Sequence, residues 1–316
     1  MATEFQLIER FLAPFVRRGA GMVVGPGDDC AVLRTRPGTD LCVTTDALIE
    51  GVHFDPRLFS DADVGHKALA VNLSDIAAMG ARPRWFVCSV ACRPSDVPRI
   101  PRIAKGMAAL AARAGIVLAG GNFSRADTLS LHITAGGELP RGSALTRSGA
   151  RHGDLIYVTG TLGDAALALA LRSIGRHPTI LSRQLRPEPR MAVGLIARRF
   201  AHAAIDISDG LLLDVAHVIE ASGVGASIDA RLVPLSRAFT DVAANLDLAL
   251  TGGEDYELVL FIPPARAAAF EKACGDAGEK VSCIGAVVRG KQLSIENAPH
   301  LKRWGHDHFA RARKPA

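Results

Sequence analysis

The sequence predicts a mixed α/β protein of two domains. Short apolar segments alternate with segments of helical periodicity in both halves, and 48% of the residues are hydrophobic whereas only 5% are aromatic. A chain of 316 residues is also long enough for two domains to bury separate cores. We place the first domain at residues 1–143 and the second at residues 144–316.

The first half alternates strand and helix patterns, with breaks at glycine and proline. Phe5, Ile8, Leu12 and Phe15 recur at helical spacing, which predicts an opening helix that ends before Gly19. The other elements predicted for this half are strands at 30–33, 40–46, 85–92, 116–119 and 129–135 and helices at 64–79 and 97–114.

The second half repeats this alternation. Three prolines over 177–189 predict a loop, and the segment 203–210 is predicted to be an apolar strand that turns directly into a helix. The other elements predicted for this half are strands at 155–159, 226–229, 258–262 and 282–288 and helices at 164–174, 190–200 and 264–277.

Composition argues against two classes of partner. The net charge of +5 comes from scattered basic residues, without the basic and aromatic runs of nucleic-acid surfaces. No apolar stretch approaches the ~20 residues of a membrane span. The amphipathic start differs from a signal peptide, and the six cysteines include no Cys-x-x-Cys pair. We therefore expect a cytoplasmic protein that binds neither nucleic acid nor membranes.

Acidic motifs at the ends of apolar segments indicate a magnesium site. Carboxylates among Ala, Val, Leu and Ile stay ionised only if a cation or hydrogen bonds neutralise them, and hard oxygen ligands favour Mg²⁺. The four motifs are Gly27-Asp28-Asp29-Cys30, Thr44-Thr45-Asp46, Asn72-Leu73-Ser74-Asp75 and Asp206-Ile207-Ser208-Asp209-Gly210.

Some of these motifs also have an ordinary structural interpretation. Ser208 or Asp209 can simply cap the following helix, although its free N–H groups would also attract phosphate. Asp75 lies in the middle of a predicted helix, where a salt bridge with Lys67 or Arg82 is the alternative to a metal. The joint presence of the motifs favours metal-assisted phosphate chemistry.

Known nucleotide-binding signatures are absent from the sequence. There is no Walker Gly-x-x-x-x-Gly-Lys-Ser/Thr motif and no protein-kinase Gly-rich loop or His-Arg-Asp segment. A kinase of this kind would hold its nucleotide through metals and helix ends. The glycine pairs 120–121 and 252–253 would let the backbone approach a ligand closely.

In order along the chain, these motifs resemble those of the thiamine-monophosphate kinase family. The resemblance also rests on Gly51-Val52-His53-Phe54, the segment 67–81, Gly252-Gly253-Glu254-Asp255-Tyr256-Glu257 and Gly305-His306-Asp307-His308-Phe309. It implies the two-domain fold of the aminoimidazole-ribonucleotide synthetase superfamily, in a homodimer whose N-terminal domains together close a β-barrel. The implied reaction is ATP-dependent phosphorylation of thiamine monophosphate to thiamine diphosphate.

The resemblance also implies roles for individual residues. Several Mg²⁺ ions would be held around ATP, and no dedicated general base is implied. The implied metal ligands are Asp29, Thr44, Thr45, Asp46, Asp75, Asn122, Asp206 and Asp209; the implied ATP contacts are Gly121, Arg147 and Ser208; the implied substrate contacts are His53, Glu254 and His306.

Two positions depart from the family pattern. Asn122 stands where the family usually has Asp, so one Mg²⁺ site is expected to be weaker. His306 stands where an aromatic residue would stack on thiamine, and Trp304 is a potential substitute. Two alternatives therefore stay open: an ATP-dependent synthetase of the same superfamily, and a catalytically impaired protein that binds nucleotide or thiamine phosphate.

Overall fold

The computed structural model of this protein describes residues 9–15, 21–24, 32–171, 178–243 and 246–298. Within these ranges, the strands are β1 (Met22–Val24), β2 (Val32–Leu33), β3 (Thr39–Ile49), β4 (Arg82–Cys92), β5 (Val117–Arg125), β6 (Ser130–Pro140), β7 (Leu155–Thr159), β8 (Ala203–Asp206), β9 (Gly225–Asp229), β10 (Leu258–Ile262), β11 (Val281–Val288) and β12 (Leu293–Glu296). The α-helices are α1 (Asp61–Ala78), α2 (Ile100–Ala114), α3 (Asp164–Leu171), α4 (Pro178–Leu185), α5 (Met191–Ala197), α6 (Leu211–Ser222), α7 (Arg237–Val242), α8 (Asp247–Thr251) and α9 (Pro264–Asp276). Residues 9–12 are helical, and the earlier part of the predicted opening helix lies outside the described residues.

The chain divides into two compact mixed α/β units. One comprises Met1–Leu145 and Leu185–Arg199, and the other comprises Thr146–Gln184 and Phe200–Ala316. The sequence predicted a single division at 143/144, whereas in the structure α5 returns to the first unit. Gly194 permits this return, because a Cβ atom there would lie 2.1 Å from the carbonyl oxygen of Ala77 in α1.

The first unit contains a four-stranded sheet in the order β3-β6-β4-β5. β6 is antiparallel to β3 and β4, whereas β5 is parallel to β4. α1 and α2 pack on one face, where Leu69, Met107 and Leu131 are fully buried. The opposite face exposes 45% of Leu41 and 55% of Val43. Among the described residues of the single chain, this sheet is open and closes no barrel.

α1 is fixed by a capping box at its start and by close packing on α2. It begins at a capping box in which the Ser60 hydroxyl accepts from the Asp63 N–H at 3.2 Å and the Asp63 carboxylate accepts from the Ser60 N–H at 3.0 Å. Its Gly65 lets α2 approach closely, since a Cβ atom there would lie 1.9 Å from the carbonyl oxygen of Ile103. This packing holds Asp75, in the last turn of α1, against the sheet.

The second unit contains a six-stranded sheet in the order β12-β9-β11-β7-β10-β8. All neighbouring strands are antiparallel except β12 and β9. α6 covers the face that carries Val158 and Ile205. On the other face, Tyr157 packs edge to face on Phe270 of α9, with ring centroids 5.5 Å apart. β8 is an edge strand, so the residues after Asp206 leave the sheet at its rim.

One predicted loop is wrong. The segment 177–189 contains α4: Pro178 is the first described residue of this helix, and Pro187 and Pro189 follow its end, so no proline lies in its described interior. The number of prolines predicted a loop, but their positions relative to the ends of the helix decide whether a helix can form. None of the helices in the described ranges combines the length and apolar character needed to cross a membrane.

Candidate active site

Thr44 and Asp46 lie on the face of the four-stranded sheet that α1 covers, and Asp75 reaches this face from α1. The two-residue period of a strand places Thr44 and Asp46 on the same side of β3. The Thr44 hydroxyl donates a hydrogen bond of 2.5 Å to Oδ2 of Asp75, and Asp46 lies close enough to Asp75 for their charges to interact. Three predicted metal ligands from two elements are thus brought together.

The charge balance of this cluster favours a cation. Asp46 is an exposed residue, but neighbouring protein atoms partly desolvate its carboxyl group, and with the negative charge of Asp75 they raise the pKa of Asp46 to about 6. A divalent cation would relieve the repulsion between the two carboxylates. Because Thr44, Asp46 and Asp75 offer hard oxygen donors, the cluster fits Mg²⁺.

The side chains of Thr45 and Asn122 lie on the opposite face of the sheet. The Thr45 hydroxyl donates to the carbonyl oxygen of Ile133 at 3.0 Å and accepts from Thr134 at 3.1 Å. The Asn122 amide donates to the Ser124 hydroxyl at 2.9 Å. Each residue is out of phase with the inward-facing positions of its strand. Their roles as metal ligands stay predictions, since their side chains do not join the Thr44 cluster in this unit.

Gly121 is in register with Asp46 across the sheet. Asp46 pairs with Ile133, Ile133 with Cys88 and Cys88 with Gly121, so the backbones of Asp46 and Gly121 are about 14 Å apart at the usual strand spacing. A Cβ atom at position 121 would lie 2.1 Å from the carbonyl oxygen of Cys88, which explains the requirement for glycine. Its contact with ATP stays a prediction.

His53 is held in the turn after β3. Its backbone N–H donates to the carbonyl oxygen of Ile49 at 2.8 Å, and its Nδ1 accepts from the Ile49 N–H at 3.1 Å. Because Nδ1 acts as an acceptor, the neutral ring carries its proton on Nε2. This tautomer is suited to donation towards a phosphate oxygen.

In the second unit, the turn 206–210 joins β8 to α6. Asp206 is the last residue of β8 and is 5% exposed. α6 begins at Leu211 with Gly210 as its N-cap, and no side chain caps it. The expectation that Ser208 or Asp209 caps this helix is therefore wrong.

The N–H groups of this turn bind a carboxylate that the sequence analysis did not select. The N–H groups of Ser208, Asp209 and Gly210 each donate to Oδ2 of Asp214 at 3.1 Å. Burial and the charge of Asp209 outweigh these hydrogen bonds and raise the pKa of Asp214 to about 7. A carboxylate of the protein therefore already binds the N–H groups of this turn. The attraction of phosphate by the N–H groups of α6 itself stays a prediction. An acid in the first turn of a helix is too common a pattern to have identified Asp214.

Asp214 also belongs to a group of potential metal ligands. One ligand atom from each of Asp209, Asp214 and His217 lies within 4.8 Å of the others. In the described part of the chain, no other group of three or more His, Cys, Asp or Glu side chains has this proximity. The group contains one predicted ligand, Asp209, and two residues that the sequence analysis missed.

Glu254 lies in a strained loop beside the 206–210 turn. Glu254 and Tyr256 have φ angles of 73° and 51°, which side-chain-bearing residues rarely adopt. Their N–H groups donate to the carbonyl oxygens of Ser208 and Ile207, both at 2.8 Å. The Gln184 amide donates to Oε2 of Glu254 at 2.6 Å. The predicted ATP contact Ser208 and the predicted substrate contact Glu254 are therefore neighbours.

Asp255 anchors the same loop to the start of α3. Its two carboxylate oxygens accept from the N–H of Gly163 at 3.1 and 2.9 Å. Burial raises the pKa of Asp255 well above its ordinary value, although the hydrogen bond from Gly163 lowers it. The loop that carries Glu254 is therefore fixed on both sides.

The remaining predicted site residues are less constrained or fall outside the described ranges. Arg147 is exposed, and its carbonyl oxygen accepts from the Ser222 hydroxyl at 3.1 Å. The preceding Thr146 accepts from the N–H of Ala204 at the start of β8, also at 3.1 Å. Asp29 and His306, together with Trp304, lie outside the described residues.

Known families match both units. Residues 27–139 match AIR synthase related protein, N-terminal domain, and residues 151–296 match its C-terminal domain. The chain is 39% identical to the thiamine-monophosphate kinase of Salmonella typhimurium, over 97% of this chain and 98% of the relative. It is also 39% identical to that of Caulobacter vibrioides, over 92% and 86%.

Solved structures agree with these matches. The crystal structure of thiamine-monophosphate kinase from Stenotrophomonas maltophilia aligns with a TM-score of 0.85 at 39% identity, covering 94% of this chain and 97% of that one. AaThiL complexed with AMPPCP and TMP aligns with a TM-score of 0.76 at 30% identity, covering 97% and 99%. The resemblance carried by the sequence motifs is confirmed, and the chain belongs to the thiamine-monophosphate kinase family.

Proposed function

We propose that this protein transfers the γ-phosphoryl group of ATP to the phosphate of thiamine monophosphate, giving thiamine diphosphate. Relatives named for this activity match nearly the whole chain, and a related structure holds AMPPCP and TMP. The structural observation that carries the proposal is the pair Asp46 and Asp75, whose mutual repulsion suits a cation shared with anionic substrates. We place this activity in the cytoplasm, where ATP is supplied.

Charge repulsion is the main barrier to this reaction. ATP and the phosphate group of thiamine monophosphate are both anionic, so catalysis depends on positioning and on electrostatic stabilisation. The attacking phosphate oxygen is largely ionised at neutral pH, because the second pKa of a phosphate monoester is about 6. The protein therefore needs no general base, and its residues act by binding and aligning the two anions.

The donor sets suggest where Mg²⁺ would be held. In the first unit Thr44, Asp46 and Asp75 would bind it, and in the second unit Asp206 and Asp209 would do so. When bound, Mg²⁺ neutralises phosphate charge and aligns the attacking and leaving oxygens. Asp29, Thr45 and Asn122 stay proposed ligands on the strength of the family resemblance.

The other site residues have proposed roles in binding. Ser208 and Arg147 flank the two ends of β8 and would contact ATP, together with Gly121. His53, with its proton on Nε2, would donate to the phosphate of thiamine monophosphate, and Glu254 would attract its cationic ring system. His306 would complete the substrate contacts.

We also propose that the protein is a homodimer. Leu41 and Val43 project from the outer face of an open sheet and are about half exposed. The same face of a second copy would cover these side chains and close the β-barrel that the resemblance implies. Light scattering coupled to gel filtration tests this: the wild type should elute as a dimer, and Val43→Glu should yield monomer. A monomeric wild type would refute the dimer.

The activity itself is tested by ADP release in the presence of Mg²⁺ and thiamine monophosphate. The expected result is ADP formation that requires both, with thiamine diphosphate as the second product. Tight ATP binding without ADP would instead identify a catalytically impaired binding protein. ADP formed only with another acceptor, such as a purine precursor, would identify a synthetase of the same superfamily.

A further inference from the structure

A single carboxylate oxygen organises the turn that carries three of the predicted site residues. Oδ2 of Asp214 accepts from three successive N–H groups, those of Ser208, Asp209 and Gly210, each at 3.1 Å. Asp214 is 2% exposed, and α6 holds it in place through the hydrogen bond from its own N–H to the carbonyl oxygen of Gly210 at 3.0 Å. Three N–H groups thus converge on one oxygen atom, which accepts most strongly when the carboxyl group is ionised.

The other side of the turn is confined by the loop that carries Glu254. A Cβ atom at Gly210, which has a φ of 124°, would lie 2.7 Å from the carbonyl oxygen of Thr251. The carbonyl oxygen of Ser208 accepts from the Glu254 N–H at 2.8 Å. Asp214 on one side and the 251–254 segment on the other thus fix the backbone of this turn. The backbone conformation determines where the side chains of Ser208 and Asp209 project.

We propose that Asp214 is a positioning residue for phosphoryl transfer, which fixes the 208–210 backbone so that Ser208 and Asp209 are pre-organised for the Mg²⁺-bound nucleotide. This inference rests on the proposed function of the site. An asparagine at this position would keep the shape of the side chain but lose its charge. Because all three N–H groups point at one atom, the asparagine would present to all of them either an amide NH2 group, which cannot accept, or a neutral oxygen, which is a weaker acceptor.

The test compares Asp214→Asn with a matched control in the same unit. Ser236→Ala removes a hydroxyl that accepts from the N–H of Phe239 at 2.9 Å and donates to Oδ1 of Asp164 at 2.7 Å. It therefore removes a helix cap and a partly buried hydrogen bond, and neither involves the 206–210 turn. Dissociation constants for a non-hydrolysable ATP analogue with Mg²⁺ are measured by calorimetry, alongside kcat, the KM for thiamine monophosphate and the thermal midpoint. Loss of a group that orients metal ligands typically weakens binding or activity by 10–100-fold.

We expect Asp214→Asn to weaken binding of the Mg²⁺-bound analogue about tenfold and to lower kcat, with little change in the KM for thiamine monophosphate. Ser236→Ala should lower the thermal midpoint but leave analogue binding unchanged. The proposal is overturned if Asp214→Asn binds the analogue as the wild type does, if both variants lose binding in proportion to stability, or if Asp214→Asn does not fold. A wild type that binds the analogue but releases no ADP would refute the proposed function instead, and the binding comparison would still decide the role of Asp214.

Discussion

The hydroxyl of Thr44 on β3 donates a hydrogen bond of 2.5 Å to Oδ2 of Asp75 on α1. This contact joins the sheet to the helix beside Asp46, whose carboxyl group is electrostatically coupled to Asp75. The contact thus places a hydroxyl and two mutually repelling carboxylates side by side. Such a set of hard oxygen donors suits the divalent cation that we propose for this site.

Removing either carboxylate should abolish turnover without unfolding the protein. We expect Asp46→Ala and Asp75→Ala to lower kcat by about a thousandfold, because each variant loses a charge that the proposed Mg²⁺ site requires. ADP release measures activity, and circular dichroism checks the fold. Asp40→Ala is the matched control on the same strand, since Asp40 accepts from the N–H of Gly142 and lies outside the cluster. Near-normal activity in both site variants would refute the metal assignment.

The Mg²⁺ requirement should depend on pH near the raised pKa of Asp46. That pKa is about 6 in the folded protein against an ordinary value of 3.8. The folded state therefore binds the proton more tightly than the unfolded state, and the stability from this group is full below about 3.8 and is lost as pH rises through about 6. Protons and Mg²⁺ compete for Asp46, so less Mg²⁺ should be needed as pH rises through 6.

Thermal midpoints measured against Mg²⁺ concentration between pH 5 and 8 check this competition. Asp46→Asn should remove most of the pH dependence, because the amide does not titrate in this range. A half-saturating Mg²⁺ concentration that is the same at pH 5 and pH 8 in the wild type would contradict the expectation.

Gln184 should matter for the substrate and not for the nucleotide. Its amide donates to Oε2 of Glu254 at 2.6 Å, and a hydrogen bond to a charged group contributes about 1.5–3 kcal/mol. Gln184→Ala should therefore raise the KM for thiamine monophosphate about tenfold and leave binding of the Mg²⁺-bound analogue unchanged. Steady-state kinetics measure the effect. Ser182→Ala, on the exposed side of the same helix, is the control, and an equal rise in KM there would refute the role of Gln184.

Two helical glycines should respond oppositely to substitution by alanine. Gly65→Ala places a Cβ atom 1.9 Å from the carbonyl oxygen of Ile103, so it should cost at least about 3 kcal/mol as α1 and α2 are forced apart. Gly275→Ala in α9 meets nothing within 4 Å and should stabilise by about 0.5–1 kcal/mol. Urea unfolding midpoints compare the two variants, and equal shifts would contradict the packing argument.

Local patterns determined much of this protein from the sequence alone. The strands 155–159 and 258–262 were predicted with the observed bounds, because apolar runs flanked by turn residues have few alternative secondary structures. The ordered motifs identified the family, and the matches confirm it. The coupling of Thr44 and Asp46 on one face also followed from the two-residue period of a strand.

Only the tertiary structure decided which polar groups meet. In the sequence, Asp214 looks like any other acid in the first turn of a helix. In the folded chain, three backbone N–H groups donate to its carboxylate. The bulge and register of β5 set the face of Asn122, and the return of α5 to the first unit depends on contact with α1. Periodicity reports the conformation of neighbouring residues, whereas these relationships depend on contacts between distant segments, which form only when the chain packs.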